Sequence, residues 1–187
     1  MFPFKNVAFI FIFFVPTFTM SMFSSSTDAS STDDFSSKCS FSTSTSGNKT
    51  VPAAGCTLTQ MITLSGDMEV AGKGNVLREL HAVGGKASSS TRHFLINTAV
   101  KLTLKFLKLI GGKIGGKTSV HGGGSIYIKG TSAVLDVEDS TFAGCGEGVV
   151  CAQQGGAVFG DINSKMIFKR TTFQGNKAHS STGGGGA

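Results

Sequence analysis

A repeated pattern of glycine and apolar residues constrains the fold of this 187-residue chain more than any other feature. Residue 123 corresponds to residue 155 and residue 142 to residue 173, offsets of 32 and 31. The matching segments are 123–127, 133–137 and 140–145 in one copy and 155–159, 164–168 and 171–176 in the next; a more divergent copy covers 92–96, 101–104 and 107–112, and another begins at 185–187. A period of about 20–50 residues is typical of proteins built from stacked repeats.

Each copy contains three short apolar runs separated by glycine-rich corners, and none has a helical pattern. Alternation of apolar and polar residues in such short runs predicts strands. A unit of this kind cannot enclose a core alone, so successive units must stack. We therefore predict an all-β fold, a right-handed parallel β-helix (a solenoid) of about three to four coils.

Stacking also predicts which side chains point inward and which residues become neighbours. The inward positions are Ile126, Ile128, Leu135, Val137 and Phe142 in one coil and Val158, Met166, Phe168 and Phe173 in the next. Leu135 should lie beside Met166, one strand spacing of about 4.8 Å away. Outward residues should align as well, in a charge ladder of Lys105, Glu138 and Lys169. Glycine is expected where the chain turns with positive φ.

Composition agrees with this fold and excludes several others. Glycine accounts for 26 residues and charged residues for only 15% of the chain, while 40% is hydrophobic, which is too apolar for a wholly disordered protein. High glycine content with few helix-forming residues disfavours a helix bundle. The sequence has neither a heptad nor a Gly-X-Y period, so coiled coil and collagen are excluded.

The N-terminal 22 residues have the composition of a secretory signal. Lys5 precedes an unbroken apolar run at 7–15, which Pro16 ends. A signal-peptide core contains about 7–15 apolar residues, whereas a membrane span needs about 20. Residues 1–22 are therefore predicted to be a signal peptide, with an uncleaved signal anchor as the alternative.

A Ser/Thr-rich stretch follows and separates the signal from the repeats. Residues 23–50 bury too little apolar surface to form a core and are predicted to be a flexible linker. The β-helix repeat domain is predicted at 51–187. Asn48 begins an Asn-Lys-Thr triplet, so it is a candidate for N-glycosylation in a host that carries out this modification.

The four cysteines predict disulfides in a secreted chain. Proximity favours Cys39–Cys56 and Cys145–Cys151, although three connectivities are possible and reduced, inert cysteines are the alternative. No Cys-x-x-Cys pair occurs, and the histidines are scattered. Zinc sites need closely grouped ligands. We therefore expect no metal site and no cofactor.

The whole chain has a net charge of +6, and its positive charge is concentrated in one part. No acidic residue occurs between Leu80 and Leu135. The candidate ligand-binding residues in or near this stretch are Lys101, Lys105, Lys108, Lys113, Lys117 and Lys129. A one-signed surface attracts polyanions, so a surface glycan or another polyanion is the predicted partner, rather than nucleic acid. The alternative is a solvated face that keeps an apolar sheet soluble.

The repeats resemble a known family of surface proteins. Gly-Gly-Ala-Val at 155–158 with Phe-Gln-Gly-Asn at 173–176 is similar to the paired repeats of polymorphic outer-membrane proteins, which are of the autotransporter type. Gly-Gly-Ser-Ile at 123–126 with Phe-Ala-Gly-Cys at 142–145 is an imperfect copy. The resemblance implies a β-helical passenger displayed at the cell surface and a role in adhesion. The pattern that restarts at 185–187 predicts a fragment of a longer array.

A phosphate-loop motif competes with this interpretation. Residues 111–118 fit the pattern G-x-x-x-x-G-K-[ST]. Such a loop binds phosphate only if it opens a helix. The glycine-rich stretch 119–125 that follows is hostile to a helix, so a nucleotide site is disfavoured.

A polysaccharide-cleaving β-helix enzyme is the second alternative. Such an enzyme needs carboxylates that converge as acid and base or as calcium ligands. The candidates are Asp136, Glu138, Asp139 and Asp161, with Arg170 as a basic neighbour. These residues also fit the outward, solvated positions of a strand.

From the sequence we therefore predict a secreted or cell-surface β-helix repeat protein that is non-enzymatic and adhesin-like or structural. The alternative is a carbohydrate-active β-helix protein of the lyase or hydrolase type. No transmembrane span is expected after signal removal. Self-association is a further expectation, because an unfinished coil exposes a strand edge.

Overall fold

The structure is a computed structural model that describes residues 37–83, 92–114, 122–145, 150–152 and 154–178. All of these belong to one compact unit, 34–187. The predicted signal peptide, residues 23–36 of the predicted linker, Lys117 with the second half of the phosphate-loop motif, and the restart of the repeat at 185–187 lie outside the described residues.

The described ranges contain fourteen strands and no helix. In chain order they are β1 (Gly47–Val51), β2 (Cys56–Thr57), β3 (Ile62–Leu64), β4 (Met68–Gly72), β5 (Arg78–His81), β6 (Phe94–Ile96), β7 (Lys101–Lys105), β8 (Leu107–Ile110), β9 (Ile126–Ile128), β10 (Val134–Glu138), β11 (Thr141–Phe142), β12 (Val158–Gly160), β13 (Lys165–Lys169) and β14 (Thr172–Phe173). The predicted all-β class is therefore confirmed.

The strands form three parallel sheets, and each sheet takes every third strand of the chain. Sheet 1 has the order β1-β4-β7-β10-β13, sheet 2 the order β2-β5-β8-β11-β14, and sheet 3 the order β3-β6-β9-β12. Each repeat thus gives one strand to each sheet and pairs it with the equivalent strand of the next repeat. This is the connectivity that the spacing of the sequence repeats predicts.

The strand registers agree with the sequence repeat. Leu135 pairs with Met166 and Val137 with Phe168 across β10 and β13, as predicted. In sheet 3, Ile126 pairs with Val158, an offset of 32 residues. In sheet 2, Phe142 pairs with Phe173 at an offset of 31, and their rings stack with centroids 4.9 Å apart.

Alternating residues of these strands face a shared apolar core. β4 and β10 alternate between buried and half-buried positions, the pattern of strands with one face inward and one outward. The predicted inward residues that are fully buried are Ile126, Ile128, Leu135, Val137 and Phe142. Their equivalents one repeat later are less covered, and Met166 and Phe168 are 42% and 39% exposed. β13 is a terminal strand of sheet 1, so neither residue has a described strand on its other side.

The corners between strands use positive φ at recurring positions, and only some are glycine. Gly144 and Gly175 follow β11 and β14 with φ of 73° and 65°, as expected for glycine corners. The corner between sheet 1 and sheet 2 instead contains Phe106, Asp139 and Arg170, with φ of 52°, 46° and 47°. Glycine was expected at corners generally, so these three positions differ from the prediction.

The folded region begins before the predicted domain boundary at residue 51. β1 starts at Gly47 and pairs with β4, and Cys39, Phe41 and Ser42 are buried further upstream. The backbone N–H of Cys39 donates to the Thr57 carbonyl at 2.9 Å. Residues 47–50 therefore belong to sheet 1, and the segment 37–46 packs against the folded region through Lys38, Cys39 and Phe41.

Both predicted disulfides are present. Cys39 is bonded to Cys56, which ties the segment before β1 to β2. Cys145 is bonded to Cys151. Disulfides of this kind are typical of oxidising compartments.

Candidate functional site

The outward face of sheet 1 carries side chains in rows that run across the strands; we call it the sheet 1 face. One row contains Asn48, Glu69, Thr103, Asp136 and Ile167, and the next contains Thr50, Ala71, Lys105, Glu138 and Lys169. The rows follow from the parallel register, because equivalent residues of neighbouring strands lie about 4.8 Å apart. The first row carries two acidic residues, Glu69 and Asp136, and the second alternates basic and acidic residues at Lys105, Glu138 and Lys169.

Opposite charges on this face are paired across strands. Lys101 lies with its Nζ 2.9 Å from Asp136 Oδ2, and Lys105 lies 2.9 Å from Glu69 Oε2. Lys169 approaches the same Asp136 at 4.0 Å. The Lys101 ammonium lowers the pKa of Asp136, and the bond to Glu69 raises the pKa of Lys105. The sheet 1 face therefore carries both charges in a self-neutralised array.

Arg170 clamps two carboxylates at the corner beside this face. Its Nη2 donates to Asp139 Oδ2 at 2.8 Å and to Glu138 Oε1 at 2.6 Å, while its Nε donates to Asp139 Oδ1. This two-pronged geometry is the one that guanidinium groups favour with carboxylates. Arg170 lowers the pKa of Asp139, so that carboxylate is ionised and engaged.

A shallow depression of about 120 Å³ opens on the same face near β1. It is lined by Asn48, Asp67, Met68, Glu69, Lys101 and Thr103. The Asp67 carboxylate accepts the backbone N–H of Lys101 at 2.8 Å. The lining combines acceptors (Asp67 and Glu69), a donor (Lys101) and two side chains that do both (Asn48 and Thr103), a mixture that suits a ligand rich in hydroxyl groups.

The structure does not bring the predicted lysines together on one sheet. Lys101 and Lys105 lie together on β7 in sheet 1, and Lys108 lies on β8 in sheet 2, where it pairs with Glu79 at 2.9 Å. Lys113 follows β8 and Lys129 follows β9. Of the predicted set, only Lys101 and Lys105 thus share the sheet 1 face among the described residues.

The predicted ladder of Lys105, Glu138 and Lys169 has the expected register. Its ion pairs differ from the prediction. The charges that meet within 4.0 Å are Lys105 with Glu69, Glu138 with Arg170, and Lys169 with Asp136. Each side chain of the ladder therefore forms its ion pair with a residue outside the predicted ladder.

The carboxylates considered for catalysis lie on two different sheets. Asp136 and Glu138 are on β10 in sheet 1, whereas Asp161 follows β12 in sheet 3. Asp161 accepts a hydrogen bond from the Tyr127 hydroxyl at 3.0 Å. Each of these three carboxylates is already bound to a basic or hydroxyl side chain.

A buried arginine beside sheet 3 is a feature that sequence reasoning missed. Arg92 donates to the carbonyls of Gly122 and Gly123 at 2.9 and 3.0 Å, and its guanidinium lies 4.9 Å from the Tyr127 ring centroid. Burial lowers its pKa. The sequence around Arg92 gave no signal for this role, because the groups that it contacts, Gly122, Gly123 and Tyr127, all lie in the next repeat.

Asn48, the candidate glycosylation residue, lies on β1 and is exposed. It faces outward in the row that contains Glu69. An attached glycan would project from the sheet 1 face at its terminal strand.

Comparisons with known proteins give no match: no family model, no curated protein and no solved structure matches the chain. No group of three or more potential metal ligands occurs among the described residues. Within those same ranges, no helix is long and apolar enough to cross a membrane.

Proposed function

We propose that this protein is a secreted or surface-displayed right-handed parallel β-helix that works by presenting a repetitive outer face to a partner. It is adhesin-like or structural and non-enzymatic. The observation that carries the proposal is the sheet 1 face, a regular array of interleaved charges on parallel strands in constant register. Such a face offers many equivalent contacts.

Several features support the β-helix assignment. Strands enter the three sheets in strict rotation, β1 to sheet 1, β2 to sheet 2 and β3 to sheet 3, and then again in the same order. Inward side chains of the middle repeats are fully buried. Parallel crossover connections are right-handed in the great majority of proteins.

Secretion is supported by the signal-like N-terminus and by the two disulfides. Disulfides persist in oxidising compartments. Surface display and adhesion are supported by the resemblance of the repeats to those of polymorphic outer-membrane proteins.

The partner we propose is an acidic surface glycan that meets the sheet 1 face. Sugar hydroxyls match the mixed donors and acceptors of the depression, and acidic groups match Lys101 and Lys105. Both lysines are held by carboxylates, Asp136 and Glu69. An acidic ligand must therefore compete with these carboxylates, which predicts weak binding that falls steeply with salt.

The test measures retention of the protein on an immobilised sulfated polysaccharide, with a neutral polysaccharide as reference. The double variant Glu69→Gln/Asp136→Asn frees the two lysines, so it should elute at higher salt than the natural chain. Lys101→Gln/Lys105→Gln should elute earlier. The matched control is Lys38→Gln/Lys73→Gln, which removes the same two charges beside β2 and in the turn after β4 and should elute close to the natural chain.

Two outcomes would overturn the proposed ligand. One is equal retention on the sulfated and the neutral polysaccharide. The other is retention that the Lys101→Gln/Lys105→Gln variant does not lower. Circular dichroism of each variant establishes that the fold is retained.

A further inference from the structure

The two terminal strands of sheet 1 each have an edge that pairs with no strand in the part of the chain that the structure describes. They are β1 and β13, each five residues long, at opposite ends of the sheet. An unpaired edge is a template for another strand. We propose that copies of this chain associate end to end, with β13 of one copy pairing in parallel with β1 of the next.

The backbone of β13 has hydrogen-bonding groups aimed at its open edge. The Lys165 N–H donates to the Ala133 carbonyl at 2.9 Å, and the Lys169 carbonyl accepts the Asp139 N–H at 3.0 Å. These residues therefore bond to the β10 side. Because backbone groups alternate sides along a strand, the N–H and C=O of Met166 and Phe168 point away from β10.

The backbone of β1 has the complementary arrangement. The Gly47 N–H donates to the Asp67 carbonyl at 2.8 Å, and the Val51 carbonyl accepts the Lys73 N–H at 3.0 Å. By the same alternation, the groups of Asn48 and Thr50 point to the open edge of β1.

The alternation at these two edges limits the register of the contact, and the alignment of equivalent residues in sheet 1 selects one register. In a parallel pair, a residue that bonds across the gap lies opposite one whose groups point away, as Lys165 lies opposite Val134. Sheet 1 aligns Met166 with Leu135, Leu102, Met68 and Gly47 as equivalent residues. Continuing that alignment places Met166 opposite Gly47 of the next copy and Phe168 opposite Lys49. Gly47 and Lys49 align with the inward residues Met68 and Val70 of β4, so inward positions meet inward positions.

Side chains at the two edges fit this register. Met166 and Phe168 are inward-type residues left 42% and 39% exposed. Gly47 has no side chain, and the only atom within 4 Å of a Cβ placed there is Nζ of the flexible Lys49 side chain, at 3.9 Å, which can move aside for Met166. The alkyl stem of the half-buried Lys49 can lie along the Phe168 ring.

Charge selects end-to-end stacking over a two-fold pairing of identical edges. Two β13 strands in full antiparallel overlap would place Lys165 opposite Lys169 of the partner, and like charges directly opposite destabilise a sheet. In the end-to-end contact, Ile167 and Lys169 lie opposite the uncharged Asn48 and Thr50. Such a contact uses two different surfaces and does not close, so it generates growing rods. This inference needs no glycan and goes beyond the proposed function.

Sedimentation velocity of the unglycosylated 187-residue chain, from micromolar to near-millimolar concentration, tests it. The natural chain should form species that grow with concentration and do not plateau at a dimer. Phe168→Pro should stay monomeric, because it removes an N–H at the open edge without breaking a bond to β10. All variants keep the same residues 1–36, so any association through those residues is common to all.

A pair of lysine substitutions tests the register itself. Asn48→Lys lies opposite Glu69 of its own chain, and Ile167→Lys lies opposite Asp136, so each is tolerated alone. Within one molecule the two positions are four strand spacings apart, about 19 Å. Across the proposed contact they are directly opposite. The double variant should need a concentration about fivefold above the additive expectation to assemble to half.

Four results would overturn the inference. They are a natural chain that stays monomeric over the whole range, a plateau at dimer, assembly of folded Phe168→Pro at the natural concentration, and strictly additive effects of the two lysines. Circular dichroism reports folding. If Phe168→Pro does not fold, the two lysine substitutions still test the inference. Both occupy outward positions, so they leave the core intact.

Discussion

His93, the residue before β6, is a buried polar group inside an apolar interior. Its Nε2 donates to the Leu80 carbonyl at 3.0 Å. Burial lowers the pKa of His93 from 6.5 to about 4, because an imidazolium ion would lose its hydration there. The fold therefore accepts neutral His93 and disfavours its protonated form.

Acid should destabilise the protein through His93 in a defined window. Neutral His93 contributes fully above pH 6.5, the unfolded value, and this contribution is lost as the pH falls toward about 4. The loss is about 3 kcal/mol at most. Urea denaturation from pH 7 to 4.5 should show it in the natural chain and in His81→Gln, but not in His93→Phe. An unchanged slope in His93→Phe would contradict the assignment.

The ion pairs that Lys101 and Lys105 make show what could not be predicted from the sequence for single residues. Their stretch of the chain has no acidic residue between 80 and 135. Their partners, Asp136 and Glu69, come from neighbouring strands about one repeat away. Local charge in a stacked protein is set across strands rather than along them. The disulfides were predictable, because both join cysteines close in sequence.

At the scale of elements, the corner after sheet 2 depends on close contact between repeats. Gly144 has φ of 73°, and a Cβ there would lie 2.2 Å from the Gly175 carbonyl oxygen. Gly74, in the turn after β4, has a similar φ of 74° with no atom within 4 Å of a Cβ. The two glycines share backbone strain, and only Gly144 adds a clash with the next repeat.

Alanine at these two glycines should therefore have unequal effects. Gly74→Ala should cost about 1 kcal/mol of unfolding free energy, the strain of a left-handed residue. Gly144→Ala should cost about 3 kcal/mol or more, because backbone of the next repeat must also move. Chemical denaturation measures both. Equal losses would show that Gly175 does not lie against Gly144.

Elements with a clear alternating pattern were predictable, and those at the start of the fold were not. β3, β6 and β9 coincide with apolar runs in the sequence. Residues 37–50 have the composition of a linker. They fold because a short strand with one outward face needs few apolar side chains, and Phe41 with the Cys39–Cys56 bond supplies the cover. Positive φ at Phe106 has no sequence signal.

For the whole molecule, coverage of the core falls from the middle repeats to the last one. Leu135 in β10 is fully buried, while its paired residue Met166 in β13 is 42% exposed. A stack in which each repeat contacts only its neighbours loses half of these contacts at its end. Stability is therefore uneven along the stack.

Truncating these two paired residues should reveal the gradient. Leu135→Ala should lower the unfolding free energy by about 2–4 kcal/mol, and Met166→Ala by less than about 1 kcal/mol. Denaturation at low micromolar concentration, where end-to-end contacts are sparse, provides the comparison. Equal losses would indicate that Met166 is covered.

Sheet 3 advances by the same 32 residues at each of its pairings, from Ile62 to Phe94, to Ile126 and to Val158. Because the step is constant, the sheet can lengthen only by whole strands. Duplicating one such segment in the gene would lengthen each sheet by one strand spacing of about 4.8 Å. Every existing side chain would keep its neighbours within its own repeat. The length of the sheets could thus be changed in whole repeats without redesign of the apolar core.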